Sequence, residues 1–438
     1  MSGAAPPPPP RRRQSPELLA PAGTLKSLTF ALAYGADAVY AGLPRYSLRV
    51  RNNDFDAETM AEGIAAARAC GRRLYLTCNL MPHGAKLRTF VEDLEPIIAL
   101  GPDALIMADP GLILVVRERW PGLAIHLSVQ ANTVNAAAVR FWQDQGIARV
   151  ILSRELSLDE IAEIRQACPD VELEVFVHGA LCIAYSGRCL LSGYFNHRDA
   201  NQGSCANSCR WEYRLAAPGG EEDGLQTGRH PAADGVYLLE EGKRPGQFMP
   251  IFEDEHGTYI LNAKDLRAVE HVGRLVDMGI DCLKVEGRTK SHYYVARTTQ
   301  VYRRAIDDAV AGRPFRPGLL TDLDGLANRG YTEGFYRRHA PAELQNYTRG
   351  SSDNDRQIFV GEVVTQGEDG WAEVEVKNRF GVGDELELLT PQGNCRFRLQ
   401  AMTDDEGEPA DLAPGAGYRV RIPLPLAEST LGLLTRFL

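Results

Sequence analysis

The sequence has 438 residues, of which 44% are hydrophobic and 24% charged, and its formal net charge is −10. These ordinary globular values exclude a wholly disordered chain, and no apolar run approaches the roughly 18 residues that a membrane span needs. A protein this acidic does not coat polyanions in general, although a local basic surface can still bind nucleic acid.

The first fourteen residues are predicted to form an extended tail. A proline run at residues 6–10 is followed by arginines at residues 11–13, and this composition cannot bury a core. The chain has nine cysteines, an odd number, without an apolar secretory signal. We therefore expect a reducing, cytoplasmic environment and no framework of disulfides.

From residue 17 to about residue 311, the chain repeats a unit of helix, glycine, short loop and apolar strand. A glycine just past a helix adopts the left-handed conformation that closes it. The junction glycines are Gly35, Gly71, Gly101, Gly146 and Gly279. The predicted strands are Glu17–Pro21, Asp37–Gly42, Arg73–Asn79, Ala104–Asp109, Ala124–Gln130, Arg149–Arg154, Leu173–His178 and Cys282–Arg288.

Eight mostly apolar strands with helices between them predict an α/β fold, a TIM-like (β/α)8 barrel over residues 15–320. An open doubly wound sheet is the alternative, but a GxGxxG fingerprint and a Walker loop are both missing. The carboxyl ends of barrel strands form the active face. Most predicted strands end in polar residues, which indicates a polar pocket there: Asn79, Asp109, Gln130, Arg154, His178, Glu286 and Arg288.

The seventh predicted strand is followed by an insertion over residues 180–257, which begins with a cluster of cysteines. Its members are Cys182, Cys189, Cys205 and Cys209. Four thiolates can ligate zinc or an iron–sulfur cluster. The uneven gaps suit a 4Fe–4S cluster somewhat better than structural zinc, which usually shows paired CxxC knuckles, and zinc stays the alternative.

From residue 356 the pattern changes to short strands separated by turns, which predicts a small antiparallel β-barrel over residues 356–438. Its predicted strands are Phe359–Val364, Trp371–Val376, Glu385–Leu389, Arg396–Met402 and Tyr418–Ile422. A connector over residues 321–355 precedes it. Its arginines and aromatic residues suit either a nucleic-acid surface or a solvated linker; they are Arg329, Arg337, Arg338, Arg349, Tyr331, Phe335, Tyr336 and Tyr347.

Residues 174–192, which read EVFVHGALCIAYSGRCLLS, resemble without a gap the signature of the collagenase-like peptidase family of unknown catalytic type. Further stretches resemble one branch of that family, the bacterial prephenate-dependent tRNA uridine hydroxylases, which make 5-hydroxyuridine at the wobble position. These are ELLAPAG at 17–23, YGADAVYAG at 34–42, YSLRVRN at 46–52, HLSVQAN at 126–132, NQG at 201–203 and KVEGR at 284–288.

The resemblance implies an iron–sulfur cluster at the four clustered cysteines, prephenate as co-substrate, and the tRNA anticodon arm as partner. The C-terminal β-barrel and the connector are expected to bind that arm. A dicarboxylate such as prephenate is bound best by bidentate guanidinium groups, although arginines at strand ends equally suit ion pairs with nearby acids.

The candidates for substrate binding are Arg49, Arg154 and Gln130. The candidates for catalysis are His178, Glu286 and Arg288, with Arg288 also suited to clamping a carboxylate. His178 suits a proton shuttle or a satisfied core histidine, and Glu286 suits a general base.

Two other functions compete with tRNA hydroxylation. The family's title suggests a peptidase, but the sequence has no HExxH metal site and no GxSxG elbow. A non-catalytic tRNA-binding accessory is the third interpretation, although a pure binder has no need of a polar barrel mouth.

Overall fold

The computed structural model describes residues 15–43, 45–48, 54–181, 264–337, 356–426 and 428–438, together with the backbone of three strands between residues 237 and 259. The predicted tail, Arg49, the four clustered cysteines and residues 338–355 lie outside the described residues.

Eight parallel strands close into a barrel, which confirms the predicted fold. They are β1 (Glu17–Pro21), β2 (Ala38–Gly42), β3 (Arg73–Cys78), β4 (Ala104–Met107), β5 (Ala124–Leu127), β6 (Arg149–Ile151), β7 (Glu172–Ala180) and β12 (Cys282–Val285). Each strand pairs with the next, and β12 closes the barrel because it pairs with both β7 and β1. Four further strands lie between β7 and β12 in the sequence. Strands β8 (Tyr237–Glu240), β9 (Phe248–Asp254) and β10 (Gly257–Tyr259) pair antiparallel with one another, and β11 (Asp265–Arg267) follows them.

The helices surround this barrel and begin where the sequence offers capping groups. They are α1 (Leu25–Ala33), α2 (Ala57–Ala69), α3 (Gly84–Ala99), α4 (Pro110–Arg119), α5 (Ala136–Asp144), α6 (Leu158–Ala167), α7 (Val272–Met278), α8 (His292–Val310) and α9 (Gly318–Asp324). Ser157 and Glu160 form a complete capping box at α6. The five junction glycines all have positive φ, as predicted.

Most barrel strands end earlier than their apolar pattern predicts. Asn79, Gln130 and Arg154 lie one to three residues beyond the strand ends, and Asp109 caps α4 by accepting a hydrogen bond from Leu112 N at 2.9 Å. Strands β1 and β2 end as predicted, and β7 runs beyond its predicted end to Ala180, where it pairs with antiparallel β11. The polar residues of the active face therefore sit in loops just above the barrel.

An ion-pair network fills the half of the barrel lumen nearest the amino ends of the strands. Arg149, which is 2% exposed, contacts Glu17 at 2.7 Å and Glu174 at 3.3 Å. Glu174 also contacts Lys284 at 2.7 Å, and Tyr75 Oη donates to the Glu17 carboxylate at 2.8 Å. These charges stand at alternate positions of otherwise apolar strands, so the lumen is ionic rather than uniformly apolar.

An aromatic layer separates this network from the mouth of the barrel. Lys284 Nζ lies 4.4 Å from the ring centroid of Tyr40 and 5.5 Å from that of Phe176. The guanidinium of Arg154 covers the same Phe176 ring at 3.9 Å. Cations on both sides of an aromatic layer gain from the negative ring faces. The lumen is thus filled at this level.

The C-terminal region forms an antiparallel sheet in the order β18-β17-β21-β14-β15-β20. The strands after β12 are β13 (Tyr331–Thr332), β14 (Gln357–Gln366), β15 (Trp371–Val376), β16 (Phe380–Gly381), β17 (Glu385–Thr390), β18 (Gly393–Arg398), β19 (Leu412–Ala413), β20 (Arg419–Pro423) and β21 (Leu433–Phe437). A bridge between Thr403 and Arg421 joins the segment after β18 to the β20 edge. The turn pattern does not predict β21, although it lies at the centre of this sheet.

The sheet packs against α1 and α8 of the barrel. Arg297 on α8 is fully buried and forms an ion pair with Glu387 on β17. Tyr34 Oη donates to the carbonyl oxygens of Leu389 at 3.1 Å and Leu431 at 2.9 Å. Leu389 also belongs to the same apolar cluster as the barrel core. The two parts of the chain therefore share one core across this seam.

Candidate active site at the barrel mouth

A hydrogen-bonded group, called here the mouth network, lies at the carboxyl ends of β2, β3, β5 and β12. Its members are Ser47, Leu48, Thr77, Asn79, Ser128, Gln130 and Arg288. Arg288 is 6% exposed and donates to Ser47 Oγ at 2.5 Å, to Thr77 Oγ1 at 2.7 Å and to the carbonyl oxygen of Leu48. The guanidinium thereby ties the loop after β2 to the end of β3.

The other half of the mouth network consists of amide side chains. The backbone N–H of Leu48 donates to Asn79 Oδ1 at 3.1 Å, and Asn79 Nδ2 donates to Gln130 Oε1 at 3.2 Å. Ser128 Oγ donates to the same oxygen of Gln130. Arg288 and Gln130, which the sequence places on different strands, are therefore joined through Leu48 and Asn79.

Gly42 makes room for this arrangement at the end of β2. A Cβ atom at this position would lie 2.2 Å from Arg288 Nη1, 2.4 Å from Ser47 Oγ and 2.5 Å from Thr77 Oγ1. Real Cβ atoms do not approach other atoms this closely. The glycine is required here by close approach, since the Arg288 guanidinium occupies the volume of its missing side chain.

The charges of three candidates act on the buried hydroxyl of Tyr40, which donates to the carbonyl oxygen of Val285 at 3.0 Å. Burial raises the pKa of Tyr40 well above its usual value, the charge of Glu286 raises this pKa further, and the charges of Arg288 and Arg154 lower it. Arg154 also donates to the carbonyl oxygen of Ala180 at 2.6 Å, while its Nε has no hydrogen-bond partner among the described residues. The guanidinium of Arg288 lies 5.9 Å from the ring centroid of Tyr40, and that of Arg154 lies 3.9 Å from the ring centroid of Phe176.

His178 lies apart from this group because of a bulge in β7. Lys284 pairs with Phe176, but the next residue of β12 pairs with His178, so Val177 is the extra residue. A bulge re-aims the side chains that follow it. The ring of His178 is 1% exposed and packs between the helix layer and β13, with centroids 5.6 Å from Tyr302 and Tyr331 and 5.8 Å from Tyr294.

Burial lowers the pKa of His178 to about 3, and the charges of Arg267 and Lys290 lower it further. Because unfolding restores a pKa near 6.5, the unfolded chain binds the extra proton and stability falls as the pH drops below that value. Between about pH 7.5 and about pH 5.5, we expect wild-type protein to lose about 1.4 kcal/mol more unfolding free energy than His178→Phe.

Urea unfolding at the two pH values measures this difference. The same exchange at exposed His83 controls for the loss of a histidine elsewhere. An equal pH dependence of wild type and His178→Phe would contradict a neutral, desolvated His178. Because the ring stays neutral over this pH range, protonation of His178 should not contribute to the pH dependence of the activity.

Comparison with known proteins identifies the family to which this chain belongs. Residues 23–346 match the model of peptidase family U32, and residues 355–436 match that of the peptidase family U32 C-terminal domain. The chain belongs to peptidase family U32. This confirms the resemblance carried by residues 174–192, and the two matches together span nearly the whole sequence.

Several relatives of this U32 chain are named as RNA-hydroxylation proteins. It is 58% identical over 427 residues to tRNA hydroxylation protein P of Escherichia coli, with 94% of each chain covered. It is 55% identical to the protein of the same name from Haemophilus influenzae, covering 94% of this chain and 93% of the relative. A more distant relative, 30% identical, is the 23S rRNA 5-hydroxycytidine C2501 synthase of Escherichia coli; 88% of this chain and 54% of the relative are covered.

The structure brings together several of the candidates that the U32 sequence predicts. Gln130 and Arg288 meet through the mouth network, and the charges of Glu286, Arg154 and Arg288 all act on Tyr40. His178 faces the tyrosines of the helix layer instead. Their roles in substrate binding and catalysis stay predictions, as do those of Arg49 and the four cysteines, which lie outside the described residues.

Two connector residues do not belong to a nucleic-acid surface. Arg329 is 5% exposed and pairs with buried Asp265. Tyr336 is 6% exposed and donates its hydroxyl to the carbonyl oxygen of Phe176. Of the described connector arginines, Arg337 is exposed. The interpretation of Arg329 and Tyr336 as RNA contacts is therefore wrong, because both are needed to seat the connector on the barrel.

The sequence interpretation does not single out Ser47 and Thr77 as site residues. Both are buried, and both accept hydrogen bonds from Arg288. The sequence feature that could have indicated Thr77 is a hydroxyl-bearing residue within an otherwise apolar strand, LYLTC at residues 74–78. Within the described ranges, no group of three metal-ligating side chains is found, and no helix is long and apolar enough to cross a membrane.

Proposed function

We propose that this U32 protein hydroxylates the wobble uridine of tRNA to 5-hydroxyuridine, with prephenate as co-substrate and an iron–sulfur cluster held by Cys182, Cys189, Cys205 and Cys209. One observation carries the proposal, namely 58% identity over 94% of both chains to a protein named for tRNA hydroxylation. The mouth network supports the proposal, since a pocket lined by several polar side chains at the active face is typical of an enzyme.

The charges at the mouth suit a dicarboxylate co-substrate. Arg288 and Arg154 follow the ends of two different strands, and their guanidinium groups lie over the rings of Tyr40 and Phe176 respectively. Because each guanidinium group can bind one carboxylate, two of them suit a dicarboxylate better than a monocarboxylate. Arg49, which follows Leu48 in the sequence, is proposed as a further carboxylate ligand, and Glu286 as the base.

The tRNA is proposed to approach the barrel mouth rather than the C-terminal sheet. Residues 356–438 carry fourteen acidic and eight basic side chains, so this region repels phosphates on balance. Arg45, after β2, is exposed and pairs with Asp93 at 2.8 Å, and Arg88 is exposed near the start of α3. A wobble base lies in a loop, so little unpairing is needed to bring it to the pocket.

The cysteine segment begins at the mouth, because β7 ends at Ala180, two residues before Cys182. Four thiolates suit a 4Fe–4S cluster, which would supply one-electron chemistry beside the pocket. Zinc is the alternative metal, and it would supply no redox chemistry. Metal and sulfide analysis of anaerobically purified protein distinguishes the two.

We expect that cells lacking this gene lose 5-hydroxyuridine derivatives from tRNA, and that wild-type protein restores them whereas Cys182→Ala does not. The reason is that a cluster deprived of one thiolate is lost or misplaced. Mass spectrometry of tRNA nucleosides measures the result. Cys70→Ala is the matched control, since Cys70 is an exposed free thiol at the end of α2.

Three results would contradict parts of the proposal. No restoration by wild type argues against hydroxylation and returns the peptidase function to consideration. Full restoration by Cys182→Ala argues against the cysteine ligands. Unchanged hydroxylation in cells unable to make prephenate argues against that co-substrate.

A further inference from the structure

We propose that the side-chain amide of Gln130 recognises the target base, with Nε2 donating a hydrogen bond to the oxygen at position 4 of uracil. The inference rests on the proposed function and names the group that distinguishes uridine from cytidine. It follows from the direction in which the mouth network holds this amide.

The direction of the Gln130 amide is fixed by a chain of hydrogen bonds that begins at the backbone. The N–H of Leu48 can only donate, so the atom of Asn79 that it meets at 3.1 Å must be the oxygen Oδ1. The other end of Asn79 is then Nδ2, which donates to Gln130 at 3.2 Å. The Gln130 atom that receives this bond must be its oxygen.

The opposite end of the amide, Nε2, therefore carries the two N–H donors of Gln130. Within the described part of the chain, Nε2 has no hydrogen-bond partner, while Oε1 accepts from both Asn79 and Ser128. Asn79 and Ser128 are buried and Gln130 is partly exposed at the mouth. A fixed pair of donors is thus presented at the active face.

Fixed N–H donors select for an acceptor. Position 4 of uracil is a carbonyl oxygen that accepts, whereas position 4 of cytosine is an amino group that donates. A neutral amide suits a neutral carbonyl, and the nearby guanidinium of Arg288 suits a carboxylate. A relative that is 30% identical is named for 5-hydroxycytidine, so the target base differs among related proteins.

The test uses purified holoenzyme and two tRNA transcripts that differ only in carrying uridine or cytidine at the target position. We expect Gln130→Glu to lower the uridine-to-cytidine rate ratio by about 10- to 100-fold, because its second oxygen accepts where Nε2 donates. The exchange is isosteric, and one oxygen can still accept from Asn79. Gln145→Glu, an exposed position at the far end of α5, is the matched control.

A second variant changes the direction of the amide without changing Gln130. Asn79→Asp still accepts from Leu48 N, but it has no N–H for Gln130 and attracts Nε2 instead of Oε1. We expect the amide to turn over and the base ratio to fall in the same direction as in Gln130→Glu. A variant that merely unfolds loses both activities together, whereas this one shifts their ratio.

The outcomes separate the inference from the proposed function. If wild type hydroxylates neither transcript, the proposed function fails. If wild type is active and both variants keep its base ratio within twofold, the inference fails. If the variants keep that ratio but need a higher prephenate concentration for half-maximal rate, Nε2 meets a carboxylate of the co-substrate, and the inference is likewise overturned.

Discussion

Replacing Arg149 by leucine is expected to destabilise the folded protein by about 3–5 kcal/mol. The guanidinium is 2% exposed and lies between two buried carboxylates, those of Glu17 and Glu174. Leucine fills part of the volume but removes the cation that the two carboxylates share, which leaves Glu174 with Lys284 and Glu17 with the partly exposed Arg73. An uncompensated buried charge costs far more than a lost surface pair.

Urea unfolding of wild type and variant measures this cost. Arg119→Leu is the matched control, because it removes an ion pair with Glu95 whose two side chains are each about half exposed. Such a surface pair contributes about 0–1 kcal/mol. Similar losses in the two variants would contradict the view that the lumen network is held together by its own cation.

The second large effect is expected at Gly42, where alanine should lower the hydroxylation rate by about 100-fold. The added Cβ would overlap Arg288 Nη1, Ser47 Oγ and Thr77 Oγ1, so the guanidinium must move out of its place. A displacement of about 1 Å in a catalytic arrangement costs about that factor. The overpacking itself should cost about 1–3 kcal/mol of stability.

The control for Gly42→Ala is Gly84→Ala, because a Cβ at Gly84 meets no atom within 4 Å. Activity per folded molecule and the urea midpoint are measured for both variants. A Gly42→Ala protein that keeps full activity while folded would show that the position of the Arg288 guanidinium does not matter for catalysis.

The barrel is predictable from sequence because its signals are local. Apolar runs of four to six residues mark the strands, and glycines such as Gly35 and Gly279 mark the helix ends through their positive φ. Strand β21 escapes prediction because its hydrogen-bonding partners, β14 and β17, lie about 45 to 80 residues earlier in the chain. Long-range pairing leaves no mark on a short window of sequence.

The site is only partly predictable for a related reason. The rule that strand ends form the active face correctly brings Arg288 and Gln130 together. The rule does not predict the direction of the His178 ring, because the extra residue Val177 changes the register of β7 before His178. Such a bulge depends on the partner strand and cannot be recognised in β7 alone. The ionic partners of the buried charges Arg149 and Glu174 come from other strands, so the neighbouring sequence does not reveal that these charges are paired.

The shared core between the barrel and the C-terminal sheet affects how truncations should be interpreted. Tyr293 on α8 stacks on Phe359 of β14 with ring centroids 4.9 Å apart, and Arg297 is neutralised by Glu387 across the same seam. A chain cut before residue 356 would leave an unpaired guanidinium and bare aromatic rings on the flank of the barrel. Loss of activity in such a fragment would report a damaged catalytic half, not a missing contact with RNA.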